Sequence, residues 1–175
     1  MVSVLDMSAQ QDEHYTFGVL TLSDKGSRGE REDTSGKTLM AILGDQGYKS
    51  VAYTVIADEK EEIVSTLTSW ADELSLDLII TTGGTGLSPR DVTPEATIEV
   101  LDKEVPGMAE AMRQASMRIT PNGMLSRGVV GIRGRSLIVN LPGSQKAARE
   151  NLEVVLPVLK HALYKLKGGA ADCGG

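Results

Sequence analysis

Aromatic residues are scarce in this chain of 175 residues, where Phe, Trp and Tyr together make up 3%. So few rings argue against the base-stacking surfaces that proteins use on single-stranded nucleic acid. The formal net charge of -6 points the same way, because an acidic surface repels a phosphate backbone. We therefore expect no direct binding of nucleic acid, and aliphatic side chains have to fill the core.

The chain has a single cysteine, Cys173, which excludes an intramolecular disulfide and gives no sign of an oxidising compartment. No apolar run approaches the ~20 residues that a membrane-spanning helix requires. Residues 1–13 lack the basic and apolar regions of a secretory signal. These absences predict a cytoplasmic protein that makes no contact with a membrane.

Segments with strand and helix patterns alternate along the sequence. Short β-rich runs lie at residues 16–22, 51–56 and 77–82. The first leads through a polar loop at residues 23–29 to a helix at residues 34–45, and the second is followed by apolar residues at helical spacing. The third runs into a glycine-rich loop, after which Thr93 is expected to cap a helix that starts at Pro94. Two later strands, at residues 128–132 and 136–141, predict an antiparallel hairpin, and a long helix opens at Ser144. This alternation predicts an α/β fold with a mainly parallel sheet covered on both faces.

The chain length and the 41% content of hydrophobic residues suit one domain of ordinary size. We predict a flexible N-terminus at residues 1–14, a single domain at residues 15–167 and a flexible tail at residues 168–175. Folds of this class bind ligands beyond the carboxyl ends of their strands. A site is therefore expected in the loops that follow Leu22, Ile56, Thr82 and Leu141.

The strongest local signal is the sequence TTGGTG at residues 81–86, directly after a buried strand. Glycine permits positive φ and lets backbone N–H groups approach an anion, and the threonine hydroxyls add donors. A phosphate site fits this chemistry, and a tight turn that needs glycine for steric reasons alone fits the same sequence. The chain contains neither a P-loop nor a dinucleotide-binding GxGxxG motif.

Two aspartates follow predicted strands and are expected at the same edge of the sheet. Asp58 follows the second strand, and Asp91 lies in the loop after the third. A pair of carboxylates can hold Mg²⁺, which neutralises phosphate charge. The alternative for Asp58 is a helix cap with Glu61, and the alternative for Asp91 is an ordering role within its loop.

No acidic residue lies between Glu110 and Glu150, although the chain as a whole is acidic. The basic residues of this stretch are Arg113, Arg118, Arg127, Arg133, Arg135, Lys146 and Arg149. Their concentration predicts a local surface that attracts anions. Solvated charges on helix faces, or pairs with acidic residues of a neighbouring subunit, are the alternatives, and we expect two or three of the seven to touch ligand.

Four motifs occur in one order: TTGGTG at 81–86, RDVTPEAT at 90–97, MLSR at 124–127 and NLPG at 140–143. Together they resemble the molybdopterin adenylyltransferase family, which includes bacterial enzymes and the homologous domains of molybdenum-cofactor proteins such as gephyrin. The resemblance runs from about Phe17 to Lys167. It implies a three-layer αβα sandwich, a homotrimer that contacts other molybdenum-cofactor enzymes, and Mg²⁺-dependent transfer of AMP from ATP to molybdopterin with release of pyrophosphate.

The same resemblance assigns roles to individual residues. Asp58 and Asp91 match the two aspartates essential in the family and are expected to be catalytic and to hold Mg²⁺. A basic side chain near Arg127 or Arg133 is expected to receive the pterin phosphate. The residues expected to line the pocket for ATP and molybdopterin are Ser23, Asp24, Thr82, Gly83, Gly84, Thr85, Gly86, Ser126, Arg127, Asn140, Pro142 and Gly143.

Three other functions are compatible with the same motifs. The first is a molybdopterin-binding or scaffold protein without turnover, which would not require a pair of metal-binding carboxylates. The second is the related domain that inserts molybdate into adenylylated molybdopterin, an activity that typically resides in a longer multidomain chain. The third is a nucleotide or pyrophosphate hydrolase built on the same loops.

Overall fold

The computed structural model describes residues 14–170, which form a six-stranded sheet with helices on both faces. The predictions for residues 1–13 and 171–175, Cys173 among them, lie outside the described residues. In chain order the elements are β1 (Thr16–Leu22), α1 (Asp24–Ser27), α2 (Thr34–Asp45), β2 (Lys49–Ile56), α3 (Lys60–Asp72), β3 (Leu78–Thr82), α4 (Thr93–Val100), β4 (Lys103–Glu104), α5 (Pro106–Ile119), a 3-10 helix (Pro121–Leu125), β5 (Val130–Arg133), β6 (Ser136–Leu141) and α6 (Gln145–Leu166).

The strands lie in the order β2-β1-β3-β6-β5-β4. The first four are mutually parallel, and β5 pairs antiparallel with both β6 and β4. The predicted hairpin and the mainly parallel sheet are therefore confirmed. Because the four parallel strands point the same way, the loops after β1, β2, β3 and β6 all leave the sheet at one edge, which we call the carboxyl edge.

Alternation along β1 divides the apolar side chains into two cores. Phe17 and Val19 belong to the larger core, which contains buried residues of α2, α5 and α6. Leu20 and Leu22 point to the opposite face and pack with buried residues of α3 and α4. The sheet therefore lies between two helical layers, which confirms the three-layer αβα sandwich.

Helix α6 is the longest element, and one apolar stripe along it packs into the larger core. The Ser144 hydroxyl caps it by accepting the N–H of Ala147 at 3.2 Å. Its buried residues are Ala148, Asn151, Leu152, Val155, Leu159 and Leu163, and the helix continues through Pro157. None of the helices between residues 14 and 170 is long and apolar enough to cross a membrane.

Two local expectations were wrong. Residues 23–29 were expected to form a loop, but residues 24–27 form one helical turn, because the Ser23 hydroxyl accepts the Gly26 N–H at 3.0 Å. Thr93 was expected to cap α4, but it is the first helical residue and Val92 occupies the cap position. The hydroxyl of Thr93 instead donates to the carbonyl oxygen of Gly83 at 2.9 Å.

The side chain of Asn140 is buried between β3 and α4, where its amide is fully engaged. Its Nδ2 donates to the hydroxyl oxygens of Thr81 at 2.9 Å and Thr97 at 3.0 Å. Its Oδ1 accepts the N–H of Val129 at 3.2 Å. The hydroxyl of Thr97 in turn donates to the carbonyl oxygen of Thr93 at 2.8 Å. The network ties β6 to β3 and to the start of α4.

We expect Asn140→Ala to lower the free energy of unfolding by about 2–4 kcal/mol, because it removes buried partners of Thr81, Thr97 and Val129. Urea unfolding followed by circular dichroism measures this change. Asn122→Ala, at an exposed position of the 3-10 helix, is the matched control and should change the same quantity by less than about 0.5 kcal/mol. An Asn140→Ala protein as stable as the wild type would contradict the structural role.

Candidate active site

A cleft of about 760 Å³ opens at the carboxyl edge of the sheet. It is lined by residues that follow β1, β2, β3 and β6, together with the first turns of α2 and α6, and we call it the main cleft. The loops that the sequence predicted as the place of a site are the ones that meet there. Eight of the predicted site residues line it: Ser23, Asp24, Asp58, Thr82, Gly83, Gly84, Asp91 and Gly143.

The turn at Gly83 and Gly84 is left-handed, with φ of 102° and 66°. A Cβ on Gly83 would collide with the carbonyl oxygen of Leu22, and a Cβ on Gly84 would collide with Oγ1 of Thr93. Thr93 also fastens the turn, because its hydroxyl donates to the Gly83 oxygen at 2.9 Å and its N–H to the Gly84 oxygen at 3.2 Å. The steric reading of these glycines is therefore correct, and the same turn forms a wall of the main cleft.

Several polar groups of this turn are already engaged by the neighbouring strand. The N–H of Gly83 donates to the carbonyl oxygen of Leu141 at 3.1 Å. The hydroxyl of Thr82 donates to the carbonyl oxygen of Pro142 at 2.7 Å. Any contact from the turn to a phosphate group therefore has to come from beyond Gly83.

Asp24 and Asp58 hold the loops after β1 and β2 together. The N–H of Asp24 donates to Asp58 Oδ2 at 3.1 Å, and the N–H of Asp58 donates to Asp24 Oδ1 at 3.1 Å. The capping alternative for Asp58 is wrong, because Glu59 occupies the cap position of α3 and no side chain caps that helix. Burial raises the pKa of Asp58, and the charges of Asp24 and Asp91 act in the same direction.

Arg90 links three of the loops that meet at the main cleft. Its Nε and Nη2 donate to the two carboxylate oxygens of Asp24 at 3.0 Å and 2.8 Å, and Nη2 also donates to Glu59 Oε1 at 2.7 Å. Hydrogen bonds from Arg90 lower the pKa of Asp24 to about 2. Arg90 therefore neutralises Asp24, and it connects the loop after β3 to those after β1 and β2.

Asp91 has the loop-ordering role that the sequence offered for it, and it also lines the main cleft. Its Oδ2 accepts the N–H of Ser88 at 2.9 Å, which orders the loop after β3. A Cβ on Gly86 would lie 2.9 Å from the same oxygen, so glycine is needed for this arrangement. Asp91 nevertheless lines the main cleft and lies close enough to Asp58 to influence its pKa. The two predicted catalytic carboxylates are thus brought together.

Six predicted pocket residues are not among those that line the main cleft: Thr85, Gly86, Ser126, Arg127, Asn140 and Pro142. Arg127 is one of them, and its side chain contacts the loop after β3 and the start of α4. Its Nε donates to the Gly86 oxygen at 2.7 Å, its Nη2 donates to the Asp91 oxygen at 2.7 Å, and its Nη1 pairs with Glu95. The six residues were expected to line the pocket and do not line the main cleft; Arg127 instead holds the backbone of the loop that contains Gly86 and Asp91.

Within residues 14–170, none of the basic side chains between Glu110 and Glu150 lines the main cleft. Arg133 pairs with Asp72 of α3 at 2.7 Å and lies opposite Ser136 in the hairpin, at the other end of β6 from the carboxyl edge. The expectation that Arg133 receives the pterin phosphate is therefore wrong. Lys146 and Arg149 pair with Glu150 and Glu153 within α6, and Arg113 donates to the carbonyl oxygen of Gly128.

Residues at the start of α2 line the main cleft without having been predicted there. Asp33 caps the helix and accepts hydrogen bonds from the hydroxyls of Thr21 and Tyr53, each at 2.7 Å. The hydroxyl of Ser35 donates to the carbonyl oxygen of Gly143 at 2.8 Å. An aspartate directly before a predicted helix start is a capping signal and could have identified Asp33. No local signal marks Ser35.

Comparisons with known proteins identify the family of this chain. A family model described as "Probable molybdopterin binding domain" matches residues 18–161. The molybdopterin adenylyltransferase of Helicobacter pylori is 43% identical over 154 residues, which are 87% of this chain and 88% of that protein. Gephyrin of Dictyostelium discoideum is 45% identical over 166 residues, which are 89% of this chain but 23% of that protein.

Solved structures give the same assignment. The molybdopterin biosynthesis enzyme MoaB of Thermus thermophilus superimposes with a TM-score of 0.84 at 56% identity, covering 88% of this chain and 97% of that one. The molybdopterin biosynthesis Mog protein of Mycobacterium ulcerans gives a TM-score of 0.82 at 39% identity, covering 87% and 99%. As the four ordered motifs predicted, the chain belongs to the molybdopterin-binding domain family of molybdenum cofactor biosynthesis proteins.

Proposed function

We propose that the chain is a molybdopterin adenylyltransferase that transfers AMP from ATP to molybdopterin, with release of pyrophosphate, in molybdenum cofactor biosynthesis. The observation that carries this proposal is the meeting of Asp58 and Asp91 in the main cleft, next to a glycine turn of the kind that suits phosphate. The name of the Helicobacter pylori relative, which matches over most of both chains, supports the same activity. We assign the activity to residues 15–167 and propose that the protein is cytoplasmic.

The carboxylates of the main cleft suit Mg²⁺. No group of three or more His, Cys, Asp or Glu side chains between residues 14 and 170 is arranged to hold a metal ion. Mg²⁺ does not need such a group, because it keeps several waters and binds through one or two carboxylates plus substrate phosphates. Asp58 and Asp91 would hold it, since Asp24 is engaged by Arg90. When bound, Mg²⁺ would neutralise charge on the triphosphate.

In the proposed reaction, an oxygen of the terminal phosphate of molybdopterin attacks the α-phosphorus of ATP. A new P–O bond forms there, and the bond from the α-phosphorus to the bridging oxygen of the leaving pyrophosphate breaks. The attacking phosphate is already anionic at neutral pH, so the protein need not remove a proton or form a covalent intermediate. The chain contributes positioning and electrostatic stabilisation, which supply most of the catalysis in phosphoryl transfer.

Individual residues provide that positioning. Arg90 keeps the loops after β1, β2 and β3 in one arrangement through Asp24 and Glu59. Arg127 holds the carbonyl oxygen of Asp91 from behind, so the Asp91 carboxylate is presented from a fixed backbone. The Gly83 turn places the end of β3 directly against the end of β1.

We also propose that the protein is a homotrimer. Large apolar side chains cluster on the outer surface of α5 and the 3-10 helix: Met117, Ile119, Met124 and Leu125, with exposures from 43% to 61%. We call this set the α5 patch. Exposed apolar groups that lie together are typical of association surfaces. A surface of this kind can join copies head to tail into a closed ring.

Replacing Asp58 or Asp91 by asparagine is expected to leave the fold intact and to lower the rate of AMP transfer by about 100-fold or more, because the carboxylate charge that holds Mg²⁺ is lost. The assay mixes protein, molybdopterin, labelled ATP and Mg²⁺ and follows the labelled pterin. Asp45→Asn, exposed at the end of α2, is the matched control and should be fully active. Chelation of Mg²⁺ by EDTA should stop the wild-type reaction.

Full activity of Asp91→Asn would remove Asp91 from the mechanism. Binding of molybdopterin by the wild type without any adenylylated product would identify a scaffold protein in place of an enzyme. Loss of ATP in the absence of molybdopterin would indicate a hydrolase.

Light scattering coupled to size-exclusion chromatography is expected to give the mass of three copies. Met124→Glu should shift the protein to the monomer mass, because a charge in the α5 patch opposes burial of that patch. Ile98→Glu, at an equally apolar and exposed position on the opposite helical layer, is the control and should leave the mass unchanged. A monomeric wild type would refute the proposed trimer. A Met124→Glu protein with the trimer mass would show that the α5 patch is not its interface.

A further inference from the structure

Two cations that line the main cleft have no acidic partner within residues 14–170. Lys25 lies in α1 and Arg31 in the loop before α2. Neither takes part in any ion pair of the described chain. Arg28, between them in sequence, is held at 2.8 Å by Glu30. Lys25 is close enough to contribute to the lowered pKa of Glu30, but the largest contribution to that shift comes from Arg28.

The other cations around the cleft are occupied. Arg90 would have to leave both Asp24 and Glu59 to reach a ligand. Arg127 would have to leave Glu95 and two backbone oxygens that it holds. Recruiting either side chain would therefore break contacts that keep the lining loops in place. Lys25 and Arg31 can move to a ligand without breaking an ion pair.

The charge of the cleft makes such cations necessary. Asp24, Asp33, Asp58 and Asp91 all line it, and Arg90 neutralises the first of them. A phosphate group that enters a cleft with several carboxylates is repelled unless positive charge is placed nearby. Lysine and arginine supply this charge as strong charge-assisted hydrogen bonds to phosphate oxygens. Both residues lie in the segment between β1 and α2, at one side of the cleft.

We propose that Lys25 and Arg31 form the phosphate-receiving site of the main cleft and bind a phosphate group of an incoming substrate. The inference rests on the proposed function in one respect, since that function makes ATP and molybdopterin, both phosphate compounds, the substrates. It assigns to the segment between β1 and α2 the role that the sequence suggested for the basic residues near Arg127 and Arg133. The triphosphate of ATP and the monoester phosphate of molybdopterin share the chemistry that the site recognises.

The test uses Lys25→Gln, Arg31→Gln and the double variant, with Arg28→Gln as the control. The control removes one positive charge from the same segment at a position that is paired with Glu30 and lies outside the lining of the cleft. Calorimetry measures the Kd for Mg·ATP and for inorganic tripolyphosphate, and steady-state assays give KM for ATP and for molybdopterin. Unfolding midpoints of all variants establish that they are folded.

Each single variant is expected to weaken phosphate binding about tenfold, and the double variant by more, while Arg28→Gln stays within about twofold of the wild type. A loss confined to tripolyphosphate and ATP identifies the triphosphate as the ligand, and a loss confined to KM for molybdopterin identifies the pterin phosphate. Unchanged values in every arm, or an equal loss in Arg28→Gln, would overturn the proposal. Because calorimetry needs no turnover, a wild type that binds phosphate without making product would refute the proposed function and leave this inference intact.

Discussion

The left-handed turn at Gly83 and Gly84 is the constraint on which the rest of the site depends. The carbonyl oxygen of Leu22 and the hydroxyl of Thr93 occupy the places where side chains would be, so the end of β1, the end of β3 and the start of α4 meet within van der Waals contact. A Cβ on Gly84 would also lie 3.0 Å from Asp58 Oδ1, which brings the loop after β2 into the same contact. A side chain at Gly84 would therefore displace Thr93 or the carboxylate of Asp58, one of the two groups to which we assign Mg²⁺ binding.

Most of the charged side chains discussed above form ion pairs with opposite charges, and fewer of them collect into surfaces of one sign. The chain is acidic, and the reaction we propose joins two phosphate compounds in a cleft that is itself lined with carboxylates. Many of the basic side chains that follow Glu110 in the sequence form structural contacts, as in the ion pair between Arg133 and Asp72. The proposed activity therefore depends on a few charges without an ion-pair partner in residues 14–170, Asp58 and Asp91 on one side and Lys25 and Arg31 on the other.

The sheet, the hairpin and the edge where the loops meet could be predicted, because apolar residues recur at a regular spacing in buried strands and amphipathic helices. The predicted first and last residues of β1 and α2 are those of the structure. Helix α1 was missed since four residues contain no period. The prediction for Arg133 was wrong, although the predicted hairpin already implied its position. Because β5 runs antiparallel to β6, Arg133 at the end of β5 lies at the opposite edge of the sheet from the main cleft. Asn140 was predicted to line the pocket because a sequence motif shows where a residue lies along the chain but not where its side chain points. Its position inside a buried strand was the sequence feature that indicated a structural role.

In the reaction we propose, the main cleft transfers the α-phosphoryl group of ATP, with its adenosine, to molybdopterin. Following the label from α-³²P-ATP and from γ-³²P-ATP in parallel tests it most directly, because each position reports a different bond. We predict that the α-label appears in the pterin product and the γ-label in pyrophosphate, in equal amounts and only when molybdopterin is present. Appearance of the γ-label in the pterin, or release of labelled phosphate without molybdopterin, would rule out AMP transfer by this cleft.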